Sequence, residues 1–138
     1  MRVWYVAIAG LVLVTGTLVA REEWSDSVPN AESVRGVATS CQLCHTTSTG
    51  PELNLFGQQT RSHIKSGRPD WRTLAGLDAD KDGATNGQEL QDPAGQWMTG
   101  QPQPGTQARV SNPSLKHSTP ASIANEVDTW AKIKDLFR

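Results

Sequence analysis

Ser40-Cys41-Gln42-Leu43-Cys44-His45 is the stretch around which we expect the fold to be organised. Its pattern, C-x-x-C-H, is that of a c-type haem attachment site. Two thiols at this spacing can each form a thioether with a vinyl group of haem, and the adjacent imidazole then ligates the iron. The chain has only two cysteines, and both lie in this motif. The sequence therefore predicts one covalent haem c, bound through Cys41 and Cys44, with His45 as the proximal iron ligand.

Two other readings of the same cysteines stay open. Cys41 and Cys44 can form a small disulfide, as in C-x-x-C redox motifs, which leaves His45 without a role. They can also bind zinc together with two of the three histidines, although the spacing of the histidines matches no zinc finger.

A second axial ligand for the iron is harder to choose. His63 lies on the apolar stripe of a predicted helix that starts within ten residues of His45, and we expect it to be the distal ligand. Met98 lies in a loop rich in Gly and Pro, and a thioether there would raise the reduction potential. His117, in a Ser/Pro-flanked segment, is the third candidate, and an open sixth position is the fourth.

The N-terminal residues carry an export-type signal. Residues 3–20 contain no charge, and Arg2 precedes them. Eighteen such residues is about the lower limit for a membrane span and is longer than the usual core of a cleaved signal peptide. We expect residues 1–20 to be an uncleaved single-pass anchor, with a cleaved signal peptide as the alternative. The domain would then lie on the periplasmic side of the cell membrane, joined to the anchor by a polar tether at 21–39.

A second motif predicts a metal site. The stretch Asp78-Ala-Asp-Lys-Asp-Gly-Ala-Thr-Asn-Gly-Gln-Glu89 fits D-x-D-x-D-G-x5-E, the calcium loop of an EF-hand. Carboxylate, amide and carbonyl oxygens at alternate positions are the ligands that Ca²⁺ prefers. The predicted ligands are Asp78, Asp80, Asp82, the backbone carbonyl of Ala84, Asn86 and Glu89. No second loop pairs with this one, so we expect one structural ion and not a calcium switch.

The remaining pattern predicts a small, mainly α and irregular domain at 40–120. A helix is expected from Glu52 to Gly67, and a short helix at 70–76 with Trp71 and Leu74 inward. Residues 91–113 are rich in Gly, Pro and Gln and should be irregular, with Trp97 against the core. Residues 121–138 follow a 3.6-residue period and predict a C-terminal amphipathic helix, which either packs on the domain or docks on a partner.

Five short motifs in combination resemble a temptin-like domain, in particular the bacterial type that carries C-x-x-C-H. They lie at residues 50–57, 67–71, 77–90, 92–97 and 110–113. The resemblance implies a small, irregular, calcium-bound fold, with the calcium ligands at Asp78, Asp80, Asp82 and Glu89. The namesake of the family is a secreted extracellular protein, whereas members with the haem motif resemble electron-transfer cytochromes.

These features together predict a membrane-anchored, periplasmic monohaem cytochrome c that transfers single electrons to or within a membrane redox complex or to other cytochromes. The alternative is a non-redox extracellular calcium module for adhesion or partner binding, with a Cys41–Cys44 disulfide. A haem enzyme or gas sensor with an open iron position is a third hypothesis. No nucleophile–base motif is recognisable, so we expect no enzyme and no small-molecule substrate. The net charge of −1 gives no support to nucleic-acid binding.

Overall fold

Short elements and long connections make up the domain. In a computed structural model of the protein, the structure describes residues 22–120. Within the described residues lie three short α-helices: α1 (Leu55–Ser62), α2 (Trp71–Leu74) and α3 (Asn86–Glu89). Strands β1 (Ile64–Lys65) and β2 (Arg68–Pro69) form an antiparallel pair. Short 3₁₀-helices span Glu22–Ser27, Ser40–Leu43 and Gln107–Arg109.

The core is small, and its members are spread along the chain from Val28 to Val110. Its largest members are Leu43, Phe56, Leu74 and Leu90, all with no exposed area, and Trp71, which is nearly buried. Trp97 packs against this cluster while staying partly exposed, as the sequence predicts. A core of this size buries little apolar surface. Polar interactions are therefore needed to fix the long irregular segments between the helices and strands.

Residues 22–38 belong to the domain and do not form the predicted tether. Val28, Ala31 and Val34 are buried members of the core. Asn30 is buried too, and its side-chain amide donates to the carbonyls of Leu90 and Pro104 at 2.9 and 3.0 Å. The polar composition of this segment concealed apolar residues that recur every three positions.

Helix α1 is shorter than the sequence predicts. It begins after Asn54, whose side chain caps it by accepting the N–H of Gly57 at 2.8 Å. It ends at Ser62 because the chain turns into the β1–β2 hairpin. The sequence predicted helix here, because Ile64 continues the helical spacing of apolar residues. The hairpin turn uses two residues with positive φ, Ser66 at 52° and Gly67 at 79°, which is the backbone of a type I′ turn.

The predictions for the following segments agree better with the structure. Helix α2 lies within the predicted short helix, and both Trp71 and Leu74 are buried. Apart from the Gln107–Arg109 turn, residues 91–113 are irregular. The small domain of few short helices is thus confirmed. Within residues 22–120 no helix is long and apolar enough to cross a membrane. The predicted anchor at 1–20 and the predicted helix at 121–138 lie outside the described residues.

Gly57 allows α1 to pack directly on the cysteine stretch. A Cβ built on Gly57 would lie 2.8 Å from the carbonyl carbon of Cys44 and even closer to its oxygen. Backbone atoms cannot rotate away as a flexible side chain can. The close approach of α1 to residues 41–45 therefore requires glycine at position 57.

We expect Gly57→Ala to destabilise the fold by roughly 1–3 kcal/mol, the usual effect of overpacking a core. Chemical denaturation followed by tryptophan fluorescence measures this. Gly76→Ala is the matched control, because its Cβ would meet nothing nearer than 3.8 Å. Equal stability of the two variants would contradict the proposed close contact.

Candidate metal centre

The acidic loop between α2 and α3 brings three carboxylates together. Asp78, Asp80 and Asp82 each offer an oxygen, and these atoms all lie within 4.8 Å of one another. Asp80 is almost completely buried, and the other two are half-buried. Three negative groups at this separation repel one another unless a cation or a proton compensates them.

The same carboxylates also shape the loop. Asp78 accepts the N–H groups of Lys81 and Gly83 at 2.7 and 3.0 Å. Asp80 accepts the N–H of Asp82, and Asp82 accepts that of Ala84 at 2.8 Å. Positive φ angles at Lys81 (62°) and Gly83 (98°) produce the tight turn between them. Asp80 and Asp82 each use one carboxylate oxygen, Oδ1, in these local bonds, whereas Asp78 uses both of its oxygens.

Three carboxylate oxygens that these local bonds do not use indicate that the site binds a ligand. Asp80 Oδ2, Asp82 Oδ2 and Glu89 Oε2 are buried, and none finds a hydrogen-bond partner in the described part of the chain. A buried acceptor without a partner costs about 1–3 kcal/mol, and more when it is charged. Three such oxygens in one site fit a hard cation that takes oxygen ligands, and Ca²⁺ is the ion that this loop pattern binds.

Glu89 closes the loop from α3. Helix α3 begins at a capping box in which Thr85 and Gln88 satisfy each other's backbone N–H groups. Glu89 has no exposed area, and its Oε1 accepts the hydroxyl of Ser111 at 3.0 Å. Burial raises the pKa of Glu89 from an ordinary 4.5 to about 8; the Ser111 hydroxyl opposes this rise, and the three aspartates add to it.

Asp80 follows the same trend for the same reasons. Burial is the main cause that raises its pKa, and the charge of Asp82 adds to the effect. Both groups therefore resist ionisation as long as no cation is present. The site is an arrangement of negative charge that a divalent ion would stabilise.

Asn86 connects the loop to the helices. Its Oδ1 accepts the N–H of Ala79 at 3.3 Å, and its Nδ2 donates to Leu74 O at 2.8 Å and to Gln59 Oε1 at 2.7 Å. These bonds fix the loop against α1 and α2. The predicted ligand roles of Asn86 and of the Ala84 carbonyl stay predictions.

Ser111 is a residue of this site that the loop pattern could not reveal. Besides its hydroxyl bond to Glu89, its N–H donates to Glu89 O at 3.0 Å. It lies 22 residues beyond Glu89, outside any local motif. The only signal in the sequence was its place in the motif at 110–113 that the temptin resemblance uses.

The C-x-x-C-H stretch forms a separate structure next to α1. Cys41 and Cys44 are free, half-buried thiols, not the disulfide of the alternative hypothesis. Asn54 fixes the stretch, because its Nδ2 lies 3.0 Å from both Gln42 O and Leu43 O. His45 forms a β-bridge with Leu53, and its Nδ1 is buried without a partner among the described residues.

The three predicted distal ligands lie in different surroundings. His63 follows the last turn of α1, with its Nδ1 2.8 Å from Gln59 O. Met98 is 63 % exposed, and His117 lies on the surface. Cys41, Cys44 and His45 do not line either of two cavities that lie beside Trp97.

Burial makes Cys44 an unreactive thiol. It raises the pKa of Cys44 from 9.0 to about 11, with a smaller opposing effect from the Thr60 hydroxyl. Near pH 8 the folded protein therefore holds about a hundredfold less Cys44 thiolate, the reactive form, than an unfolded chain does.

In the variant Cys41→Ala we expect Cys44 to react with iodoacetamide more slowly in the folded protein than in urea, by roughly that factor. Similar rates in the two states would contradict the burial of this thiol.

The metal-free protein should lose stability as the pH rises. The pKa of Glu89 is about 8 in the folded state and near 4.5 when the chain is unfolded. Between these two pH values the carboxyl keeps its proton in the folded state and loses it on unfolding. At this group the folded state then binds more protons than the unfolded state, so the contribution of Glu89 to stability is greatest below about pH 4.5 and falls towards pH 8. Melting temperatures in calcium-depleted buffer measure this. Glu89→Gln should flatten the profile, and an equally steep profile in that variant would exclude Glu89 as its source.

Comparison with known proteins places this site in a family. The profile of the family described as Temptin C-terminal matches residues 18–115. Temptin from Aplysia californica is 34 % identical over 94 residues, which cover 67 % of this chain and 70 % of that protein. No solved structure gives a significant match.

These matches correct the prediction of a cytochrome. The predicted periplasmic electron carrier is wrong, since both matches are to temptins and neither is to a cytochrome. The predicted location as a single-pass membrane protein is corrected on the same ground, because the namesake that the resemblance describes is secreted. The extracellular calcium module, the alternative hypothesis, agrees better with both matches. The chain belongs to the Temptin C-terminal family.

Proposed function

We propose that this protein is an extracellular, non-enzymatic binding module whose domain is stabilised by one calcium ion. The observation that carries the proposal is the set of three buried carboxylate oxygens without partners, on Asp80, Asp82 and Glu89. Its extracellular setting is supported by family membership and by the uncharged export-type segment at 3–20.

The residues that would hold the ion are those of the loop: Asp78, Asp80, Asp82 and Glu89, with the Ala84 carbonyl and Asn86 as further oxygen donors. Bound calcium supplies positive charge to four carboxylates that otherwise repel one another. The chain prepares the site by using backbone N–H groups to orient the three aspartates before any ion arrives. This preorganisation reduces the entropy lost on binding.

A structural role for the ion is favoured over a switching role. Sensor loops open a pair of helices, whereas α3 ends at Glu89 after a single turn. Position eight of the loop, Thr85, caps α3 and is not a large aliphatic residue that could pair with a second loop. Asn86 and Ser111 fix the loop to α1, α2 and residues 110–113. Calcium would therefore hold the loop and the 110–113 segment together.

Exposed apolar side chains on the surface support a binding role. Met98 and Leu115 are large apolar side chains with 63 % and 52 % of their area exposed. The sequence has no recognisable nucleophile–base motif. The disulfide of the alternative hypothesis is not part of the proposal, because Cys41 and Cys44 are free thiols.

Calcium should raise the melting temperature of the protein. A ligand that binds only the folded state stabilises it by RT ln(1 + [L]/Kd), about 2.7 kcal/mol at a hundredfold excess over Kd. For a domain of this size each kcal/mol corresponds to roughly 4–8 °C. Differential scanning calorimetry in calcium and in chelator measures the shift.

Glu89→Gln tests whether the loop is the source of that shift. The variant keeps the shape of the side chain but removes the charge, so the calcium-induced rise should be much smaller. Glu32→Gln is the matched control, since Glu32 is exposed and lies outside the loop. An equal rise in both variants, or no rise in the unmodified protein, would overturn the calcium assignment.

A further inference from the structure

The larger of the two cavities beside Trp97 lies between the β1–β2 hairpin and residues 95–99. Its volume is about 530 Å³, within the range of ligand-sized pockets. Its charged lining residues include Lys65, Arg68 and Arg72, and its apolar lining includes Trp71, Trp97 and Met98. None of these residues belongs to the calcium loop.

The hairpin places two like charges side by side. Lys65 and Arg68 are directly opposite each other in the antiparallel register, so their side chains project from the same face. Like charges in this position destabilise a strand pair. A two-residue hairpin could carry neutral residues at both positions without loss of the turn at Ser66 and Gly67. The unfavourable pair points to an anionic group that binds there.

The protein itself compensates little of this charge. The nearest acidic partner is Glu23, with an oxygen 3.9 Å from Arg68, and both side chains are mostly exposed, so the pair contributes little. Asp70 also lines the cavity, with its Oδ2 accepting the hydroxyl of Thr73 at 2.9 Å, so the lining holds one carboxylate against three cations and stays positive. Within residues 22–120 neither Lys65 nor Arg72 forms an ion pair of its own.

The apolar wall of the cavity is rigid. One carboxylate oxygen, Asp92 Oδ2, accepts the indole N–H of Trp71 at 2.7 Å and the backbone N–H of Trp97 at 2.8 Å. The indole N–H of Trp97 donates to Pro102 O at 3.1 Å. Both aromatic residues are thus fixed before any partner arrives. Among the large apolar residues between 22 and 120, Met98, next to Trp97, is the most exposed.

We propose that this cavity binds an acidic segment of a partner protein that carries a bulky apolar side chain. The carboxylates of the segment would lie against Lys65, Arg68 and Arg72, and its apolar side chain against Trp97 and Met98. Trp, Met and Arg are enriched at protein interfaces. A purely polyanionic ligand would contact the three cations but would bury no apolar surface of Met98. A peptide with both acidic and apolar side chains therefore fits the cavity better. The inference rests on the proposed binding function and names its surface.

Fluorescence anisotropy with the full chain in calcium buffer tests the inference. The probe is a fluorescein-labelled peptide of alternating Glu and Leu residues. Its two controls replace every Leu by Ser or every Glu by Lys. We expect saturable binding of the Glu/Leu peptide that weakens as salt is added, because salt screens exposed charges. Both control peptides should bind at least about tenfold more weakly.

Variants locate the binding on the cavity. The double reversal Lys65→Glu, Arg72→Glu should weaken binding by at least about tenfold, whereas Lys116→Glu, an exposed cation outside the cavity, should not. Met98→Ser should weaken it several-fold through lost apolar contact. Leu115→Ser is the matched control, since Leu115 is exposed but does not line the cavity. Unchanged melting temperatures show that each variant is folded.

Three results would overturn the inference. The first is no saturable binding of the Glu/Leu peptide. The second is binding that the cavity variants leave unchanged. The third is equal binding of the Glu/Ser peptide, of heparin or of phosphatidylglycerol vesicles, with no effect of Met98→Ser, which would show a general polyanion site. Failure of the proposed calcium function is seen separately, as a melting temperature that calcium does not change.

Discussion

The burial of Glu89 among three aspartates is the constraint on which the rest of the domain depends. Its side chain has no contact with solvent, and it meets Ser111 through both the side chain and the backbone. It thereby joins the acidic loop to the 110–113 segment, which contributes Val110 to the core. In a domain with so little apolar burial, an uncompensated carboxylate at this point lowers the free energy of unfolding by a large share of the total. Either a proton or a cation must compensate it, and this choice determines how the fold responds to its surroundings.

Amide side chains do much of the work that regular secondary structure does in larger domains. Asn30 and Asn54 each donate to two or more backbone carbonyls of distant segments. Asn86 donates to the backbone carbonyl of Leu74 and to the side-chain oxygen of Gln59. Asn54 also caps α1 and so fixes that helix and the cysteine stretch together. With helices of one or two turns and strands of two residues, few backbone groups find partners in ladders. The buried or half-buried asparagines satisfy carbonyls that would otherwise be left without partners.

Local features of this fold could be predicted from the sequence, and non-local ones could not. The acidic loop is encoded by twelve consecutive residues, and α2 is bounded by Pro69 and Gly76, so both were recognised. The packing of residues 22–38 was missed because three small apolar residues in a polar segment do not indicate a buried segment. The hairpin was missed because Ile64 continued the helical period of α1. The C-x-x-C-H motif led to a wrong function because a motif of five residues was given more weight than the motifs spread over residues 50–113 that indicate a temptin-like domain.

The hydrogen bonds of Asn30 have a consequence for how the chain folds. One of them reaches a carbonyl 74 residues further on, and Thr99 forms a second bridge of similar span to Asp26. Contacts between such distant residues require closure of long loops before any stabilisation is gained, and domains built on them fold slowly. The N-terminal segment cannot reach its native place until the chain beyond residue 104 has been synthesised. A growing chain therefore cannot complete these contacts of residues 26–30 before that point, however early the segment itself has been made.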